Sequence, residues 1–340
     1  MKKLVRGLAA VLVVLLVVGG AAYAWARSAA TTRLTKKFET HRAGFPVPFP
    51  LTEAELAGLR AERAAPADAG DAGVEVDALA GVDLAAIALE RARARGKHLV
   101  ESIYPCIECH GVDFAGGTMV DSPPVGRIFG MNLTRGKGGV VEKYTPADWD
   151  RMVRHGVKPD GTPTSMPSGD FVNMSDRELS DIVAYIQSMP PVDREVPRPQ
   201  FGPVGLMLLA RAEWPLDGER VDHQQAHKLE RPDEKEPLAY GEHLTRICTG
   251  CHGVTFVGGP IPGSPPDWLP AANITPHADG IAAYSFDDFK VALREGKGKG
   301  GRTLGAPMNL MGKYGQNMSE AEIASMWAYL QTVPPLPSKK

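Results

Sequence analysis

The chain has 340 residues, enough for two or three domains of ordinary size, and 43% of them are hydrophobic, so sizeable cores can form. Glycine (37 residues) and proline (29 residues) are both abundant, which favours loop-rich domains over extended sheets. The formal net charge is −2. Because a polyanion binder needs a basic excess, we expect no nucleic-acid partner.

The N-terminal segment is expected to anchor the chain in a membrane. Three basic residues, the last of them Arg6, precede an uncharged run rich in Leu, Val and Ala over residues 7–26. A helix needs about 20 such residues to cross a bilayer. The alternative is a signal peptide that is cleaved at a small-residue site near Ala24. Because a secretory apolar region is usually shorter than this run, we favour a retained anchor over residues 1–27.

We interpret residues 28–90 as a spacer between the anchor and the folded domains. They contain an aromatic–proline stretch from Phe45 to Pro50, a short helix around residues 53–63, and a run rich in Ala, Asp and Gly. This composition predicts a segment that is partly disordered.

Two pentapeptides carry the strongest chemical signal. Residues 106–110 are Cys-Ile-Glu-Cys-His and residues 248–252 are Cys-Thr-Gly-Cys-His, and both match C-x-x-C-H, the attachment site of a c-type haem. Two thiols one helical turn apart reach the two vinyl groups of one porphyrin, and the next residue places an imidazole over the iron. We therefore predict two covalently bound haems c, with thioethers from Cys106, Cys109, Cys248 and Cys251 and iron ligands His110 and His252. A four-thiolate zinc site or thiol redox chemistry is the alternative, and it leaves both histidines unexplained.

The chain also contains an internal repeat. The nine residues that begin at Cys109 return from Cys251 as C-H-G-V-x-F-x-G-G, and Asn-Leu-Thr at residues 132–134 returns as Asn-Ile-Thr. Two copies of one haem-binding domain explain the repeat. We place these domains at residues 91–195 and 235–340, with a linker over residues 196–234.

Each copy has the same helical plan. We expect a helix before the haem motif, a short middle helix and a longer last helix. Cap residues mark the starts of the last two helices, and glycines or proline pairs mark their ends. These boundary residues are Thr145, Gly156, Ser175 and Pro190 in the first copy and Ser285, Gly296, Ser319 and Pro334 in the second. The apolar run 204–210 in the linker is expected to form a helix between the domains.

Methionines are the expected sixth ligands of both irons. A low-spin electron carrier uses Met or His at this position, and Met raises the potential. Met166 and Met308 lie in Gly/Pro-rich loops at the same distance from the first cysteine of their copies. We predict both as iron ligands, with Met311 as a competitor of Met308. His98 and His243 also correspond, but we expect them on the exposed surface of a helix, away from the iron.

This order of features resembles class I cytochrome c domains. The shared pattern is C-x-x-C-H-G, Asn-(Leu/Ile)-Thr, a short aromatic helix, a glycine, a Met-bearing loop and an Ala-Tyr helix. More narrowly, it is similar to the membrane-bound multi-haem cytochromes that serve bacterial alcohol, aldehyde and sugar-acid dehydrogenases. The resemblance implies an all-α fold, with two tandem class I cytochrome c domains behind an N-terminal transmembrane helix and a spacer.

The resemblance carries two further expectations. A backbone carbonyl within the Ser-Pro-Pro segments 122–124 and 264–266 should hold each proximal histidine by its other ring nitrogen. The haem domains should also be periplasmic, on a chain held in the bacterial cytoplasmic membrane with its N-terminus inside.

These features favour a membrane-tethered di-haem carrier. It would pass single electrons from an exported donor, such as a dehydrogenase, to a respiratory oxidase or reductase. A subunit that docks a catalytic dehydrogenase fits the same features. The alternative is a catalytic di-haem enzyme, either a cytochrome c peroxidase or a thiosulfate dehydrogenase. A peroxidase needs an open iron below an acid–base residue, whereas Met166 and Met308 would cap both irons. The basic loop 296–301 suits a thiosulfate pocket, but we favour a solvated loop or a docking patch for an acidic partner, and we predict no catalytic residue.

Overall fold

The computed structural model describes residues 2–41, 44–63, 78–261, 263–265 and 268–339. The Ala/Asp/Gly-rich run of the expected spacer lies outside the described residues, as does one proline of the second Ser-Pro-Pro segment. The described chain is mostly helical, which confirms the predicted fold class. It also contains one small sheet that the sequence did not predict.

The first copy and the segment before it contain helices of different lengths and one β-hairpin. The helices are α1 (Lys2–Thr35), α2 (Glu53–Arg63), α3 (Leu84–Ser102), α4 (Cys106–His110), α5 (Pro146–Val153) and α6 (Asp176–Ser188). Strands β1 (Gly117–Ser122) and β2 (Gly126–Gly130) lie between α4 and α5.

The linker and the second copy complete the fold. They contain β3 (Gln200–Phe201), α7 (Pro203–Ala210), α8 (Pro237–Thr245), α9 (Thr249–His252), α10 (Phe286–Glu295), α11 (Gly312–Asn317) and α12 (Glu320–Leu330). Short 3₁₀ turns occupy Ser168–Asp170, Asp217–Glu219, Arg246–Cys248, Lys299–Gly301 and Met308–Met311. The sheet is antiparallel in the order β1-β2-β3, so the linker adds its edge strand.

The middle and last helices begin where the capping signals predicted. The side chains of Thr145, Ser175, Ser285 and Ser319 each accept a hydrogen bond from the backbone N–H three residues later, and the acidic side chain at that position returns to the cap. Each capping box satisfies two N–H groups that have no partner within the helix. Gly296, with a left-handed φ of 62°, ends α10 as predicted.

The first and last helices of each copy cross at a glycine. Gly96 of α3 faces the carbonyl of Asp181 in α6, and Gly241 of α8 faces the carbonyl of Ser325 in α12. A Cβ added at these glycines would fall 2.0 Å and 1.9 Å from the facing oxygens. Only hydrogen fits there, so the helices meet backbone to backbone in both copies.

One hydrophobic core runs through both copies. Its buried side chains include Leu99 of α3 and Ile182 of α6 together with Leu244 of α8 and Ile323 of α12. Burial of apolar surface across the domain boundary stabilises the two copies as one unit. They are therefore held in one relative orientation.

The aromatic–proline stretch packs on the first copy. Phe45 and Phe49 are buried in the core, and the Arg177 guanidinium lies 4.7 Å from the centre of the Phe49 ring. The Ser180 hydroxyl donates a hydrogen bond of 2.7 Å to the Pro46 carbonyl. This part of the expected spacer, which we call the strap (residues 44–50), is an ordered element of the first copy.

Helix α1 is long and apolar enough to cross a membrane, and its apolar stretch is not covered by the rest of the described chain. It continues to Thr35, beyond the expected end of the anchor at residue 27. Near this end, Ala30 is buried against Leu209 of α7. The helix predicted for residues 204–210 therefore forms, but it packs mainly on α1 and the sheet and not between the copies.

Candidate haem sites

The two C-x-x-C-H motifs form the short helical turns α4 and α9. A glycine with positive φ follows each of them, Gly111 at 76° and Gly253 at 74°, where a side chain would be strained. None of the four cysteines forms a disulfide. Within the described chain, three or more potential metal ligands cluster at one place only, and no cysteine is part of it. The four thiols therefore do not build the single zinc site that we considered as an alternative.

Each motif histidine is held by a backbone carbonyl. His110 Nδ1 lies 2.9 Å from Met131 O, and His252 Nδ1 lies 2.7 Å from Ala272 O. Because a carbonyl oxygen only accepts, each Nδ1 carries the proton and the lone pair is on Nε2. Burial lowers the pKa of both imidazoles despite these bonds, so both are neutral. A neutral imidazole with a free Nε2 is the form that binds a metal.

The carbonyl that holds each histidine is not the predicted one. We expected it in the Ser-Pro-Pro segments, but Ser122 ends β1 and the two prolines after it form the hairpin turn. The other end of the hairpin, at Gly130, is the end that packs on the backbone of Cys109. The prolines therefore lie at the far end from the motif. Met131 and Ala272 both directly precede the Asn-(Leu/Ile)-Thr repeat. This repeat is the sequence feature that could have indicated the correct carbonyl.

The buried asparagines of that repeat fix the carbonyl. Asn132 Nδ2 donates to Val192 O at 2.9 Å, and its Oδ1 accepts from the Thr134 N–H at 2.9 Å. In the second copy, Asn273 Nδ2 donates to Leu336 O at 2.8 Å. The loop behind each histidine is thus tied to the segment that follows the last helix of the same copy.

The two predicted methionines lie between the middle and last helices. Met166 is partly buried at the edge of the core. Met308 and Met311 occupy the two ends of one 3₁₀ turn and are both partly buried, so the competition between them stays open. Met174 and Met318 are buried in the core, which explains them as packing residues.

Each haem motif contacts the segment that follows the predicted methionine of the other copy. Glu108, inside the first motif, accepts a hydrogen bond of 2.6 Å from the Tyr314 hydroxyl and pairs with Lys313, both from α11. In the opposite direction, the Asp170 carboxylate lies against Gly250, inside the second motif. A Cβ at Gly250 would fall 2.4 Å from an Asp170 oxygen. The two motifs therefore lie on the boundary between the copies.

A second pair of contacts links the first and last helices across the same boundary. His243 Nε2 lies 3.0 Å from both carboxylate oxygens of Glu178, and His98 Nε2 lies 2.8 Å from Glu322 Oε1. The His98 side chain is 38% exposed, but that of His243 is only 7% exposed, so the expectation of an exposed residue is wrong for His243. The other copy covers it, and the sequence of one copy cannot show this.

The donor set fits haem c. Each motif brings two cysteines that form no disulfide next to an imidazole whose Nε2 is available. In the first copy the buried Trp149 Nε1–H also has no acceptor among the described residues. Such an orphaned donor is expected where a polar group of a bound cofactor completes the core.

Comparison with known proteins gives the family. A family model described as "Cytochrome c" matches residues 94–190 and 239–334, more than half of the chain. The "Alcohol dehydrogenase (quinone), cytochrome c subunit" of Gluconacetobacter polyoxogenes is 25% identical over 259 residues, which are 68% of this chain and 54% of that protein. The "Gluconate 2-dehydrogenase cytochrome c subunit" of Pantoea cypripedii is 26% identical over 273 residues, 70% of this chain and 59% of that protein.

A third relative is the "Fructose dehydrogenase cytochrome subunit" of Gluconobacter japonicus, 26% identical over 267 residues, 71% of this chain and 52% of that protein. The chain thus spans about half the length of the relatives it matches. Two matched regions, each with one C-x-x-C-H motif, account for two covalently bound haems c. The chain belongs to the cytochrome c family.

Proposed function

We propose that this chain is a membrane-tethered di-haem subunit that takes single electrons from an exported dehydrogenase and delivers them to a respiratory acceptor. The observation that carries the proposal is the reciprocal contact of each haem motif with the other copy. The names of three relatives, which are cytochrome subunits of alcohol, gluconate and fructose dehydrogenases, support a dehydrogenase as donor.

The ligand assignment is part of this proposal. Cys106 and Cys109 would hold the first haem, and Cys248 and Cys251 the second. His110 and His252 would each bind an iron, and Met166 and Met308 would supply the sixth ligands. Bound haem c supplies the one-electron chemistry. The chain itself keeps the proton on Nδ1 of each histidine, through Met131 O and Ala272 O, so that each Nε2 lone pair is available to an iron.

The boundary between the copies gives electrons a fixed route. The Glu108–Tyr314 hydrogen bond and the packing of Asp170 on Gly250 hold the two motifs in one arrangement within a shared core. An electron that enters one copy can leave through the other without any domain movement. If Met166 and Met308 complete the ligand sets, neither iron would have an open position for a substrate, which favours electron transfer over catalysis.

The basic loop offers little support for a catalytic alternative. Lys297 Nζ pairs with Glu295 at 3.0 Å, and Lys299 Nζ lies 3.8 Å from Asp288. Two of the cations that would have to receive thiosulfate are therefore partly neutralised by carboxylates of the same region.

Helix α1 supports a membrane location for the proposed subunit. Its exposed apolar stretch supports insertion in the bacterial cytoplasmic membrane, and the three basic residues before that stretch favour an N-terminus on the inner side. The haem copies are then periplasmic, on the side where haem c is attached.

The test uses the tagged full chain, produced in a bacterium that matures c-type cytochromes and purified from its membranes. Alcohol, gluconate or fructose is added to the membranes, and haem reduction is followed by absorbance. We expect two haems per chain, a co-purified dehydrogenase, and reduction by the substrate of that dehydrogenase. The double variant Cys248→Ser, Cys251→Ser should retain one haem and lose electron delivery to the acceptor. Peroxide or thiosulfate turnover by the isolated chain, or no reduction by any dehydrogenase, would contradict the proposal.

A further inference from the structure

Three histidines and an aspartate converge outside the haem sites. His41 precedes the strap, Asp150 belongs to α5, His155 follows α5, and His227 comes from the linker. Their nitrogen and oxygen ligand atoms all lie within 4.8 Å of one another. Asp150 and His155 are fully buried. Their positions, from the segment before the first copy to the linker, do not by themselves predict that these residues meet.

The distances suit a tetrahedral metal ion. His155 Nε2 lies 3.2 Å from His227 Nε2 and 3.7 Å from Asp150 Oδ2. His41 Nε2 lies 3.9 Å from the same Asp150 oxygen. Two ligands that each lie about 2.0–2.1 Å from Zn²⁺ are about 3.4 Å apart at the tetrahedral angle. Small side-chain shifts therefore bring all four atoms to bonding distance around one point.

Hydrogen bonds behind the rings turn two lone pairs toward that point. His41 Nδ1 lies 2.9 Å from the His223 carbonyl, which only accepts, so the His41 lone pair is on Nε2. His223 Nε2 donates to the Gly218 carbonyl at 2.9 Å, which leaves His223 Nδ1 as the acceptor for His155 Nδ1–H at 3.2 Å. The His155 lone pair is then also on Nε2. Partners of this kind behind ligand imidazoles are typical of metal sites.

Asp150 leaves one buried oxygen without a donor. Its Oδ1 accepts from Arg154 Nε at 2.6 Å, but its Oδ2 accepts no hydrogen bond from the described residues and faces His41 and His155. Without a cation, this buried oxygen faces the lone pairs on His41 Nε2 and His155 Nε2, and such a contact between acceptors is unfavourable. Arg154 also pairs with Asp176 at 2.8 Å, so one positive charge faces two carboxylates. A bound cation would balance the negative charge that the one guanidinium leaves.

The second copy shows that the fold does not require these residues. Its middle helix is capped in the same way and ends at the equivalent glycine. At the positions of Asp150 and His155, however, it has Lys290 and Glu295. The ligand set is therefore an addition to the first copy, built together with segments that the second copy lacks.

We propose that His41, Asp150, His155 and His227 bind one divalent transition-metal ion, Zn²⁺ by its preference for three imidazoles and one carboxylate, in addition to the two haem irons. His223 is a positioning residue behind two of the ligands. The ion ties the segment before the strap and the linker to the first copy. This inference does not depend on the proposed electron-transfer partners.

The experiment uses the full-length haem-loaded protein. It is dialysed against a chelator, titrated with Zn²⁺, and analysed by mass spectrometry of its metals and by X-ray absorption at the zinc edge. We expect one zinc per two haem irons, with nitrogen and oxygen ligands at about 2.0–2.1 Å. His155→Ala and His227→Ala should lose the zinc. His277→Ala, the matched control in the second copy, should keep it. His223→Ala should weaken binding by about 10- to 100-fold.

Haem spectra report folding separately from zinc content, since chelation leaves the covalently held haems in place. If the ligand variants fail to fold, the stoichiometry and absorption spectrum of the wild type still decide. Substoichiometric zinc after titration, a sulfur-containing shell, or full zinc retention by both ligand variants would overturn the proposal.

Discussion

Replacement of His243 tests whether buried charge holds the two copies together. The Glu178 side chain is 4% exposed and pairs with His243 at 3.0 Å. His243→Leu retains apolar bulk at the boundary but removes the imidazole. The carboxylate then keeps the backbone N–H and hydroxyl of Ser175, at 2.9 and 2.8 Å, and the more distant Tyr104 hydroxyl at 3.4 Å.

The expected cost follows from what the carboxylate loses. Leaving a buried polar group without its hydrogen-bond partner costs about 1–3 kcal/mol, and more for a charged group. Because Ser175 continues to solvate one oxygen of Glu178, we expect about 3 kcal/mol. The chain supplies its own control in His98→Leu, which removes the equivalent partner of Glu322. His98 is 38% exposed, so water replaces its imidazole and the loss should stay below about 1 kcal/mol.

Urea unfolding of the haem-loaded protein measures both losses, and a pH series checks their cause. Burial acts to raise the pKa of Glu178, but His243, the Ser175 cap and Arg231 together hold that pKa below its ordinary value of 4.5. A carboxyl group with a lowered pKa contributes stability that is present above 4.5 and is lost as the pH falls through the folded-state pKa. The gap between wild type and His243→Leu should therefore close in acid. Equal losses of unfolding free energy in the two variants would refute the reasoning. So would a stability difference between wild type and His243→Leu that does not change with pH.

Three further predictions concern packing, ligation and a buried acid. Gly96→Ala should lower the free energy of unfolding by about 1–3 kcal/mol, because the added methyl group overpacks against a backbone carbonyl. Gly58→Ala, at an open helical position, should raise it by up to about 1 kcal/mol. Urea unfolding midpoints measure both changes. Met166→Ala should abolish the methionine–iron charge-transfer band of one haem and lower its potential, while the core change Met174→Leu keeps the band; an unchanged spectrum contradicts the assignment. Burial and a neighbouring carboxylate raise the pKa of Asp170 from its ordinary 3.8 to about 7. Its ionisation therefore destabilises the folded state increasingly as the pH rises above 3.8, and the loss of stability is complete above about 7. Asp170→Asn should thus raise the unfolding temperature in alkaline but not in acidic buffer.

Local signals were sufficient for the helices around each haem motif. Ser175 and Ser319 with their N3 glutamates determine where α6 and α12 begin, because a capping box involves only four consecutive residues. The C-x-x-C-H spacing is equally local. The repeat then predicted two copies of one domain, because the same boundary signals recur at equivalent positions in both.

Contacts between distant segments were beyond the sequence. The proximal carbonyl was assigned to the wrong segment because a linear sequence does not show which end of the β1–β2 hairpin packs on the haem motif. The burial of His243 depends on the other copy. The metal-ligand cluster joins residues as far apart as His41 and His227. A hint existed in the departures from the repeat, where Asp150 and His155 stand against Lys290 and Glu295.

The attachment of α1 to the folded part bears on why the chain has two haem copies. Arg33 of α1 pairs with Glu219 and donates to the Leu209 carbonyl, and the Phe38 N–H donates to Gly161 O at 3.0 Å. With α1 in the bilayer, as proposed, these contacts hold the first copy in one orientation relative to the membrane. Under the proposed function, an electron carrier that cannot swing between partners must receive and release electrons on different faces. Two haem copies with their motifs on a shared boundary meet this requirement, because donor and acceptor can each dock on a different copy.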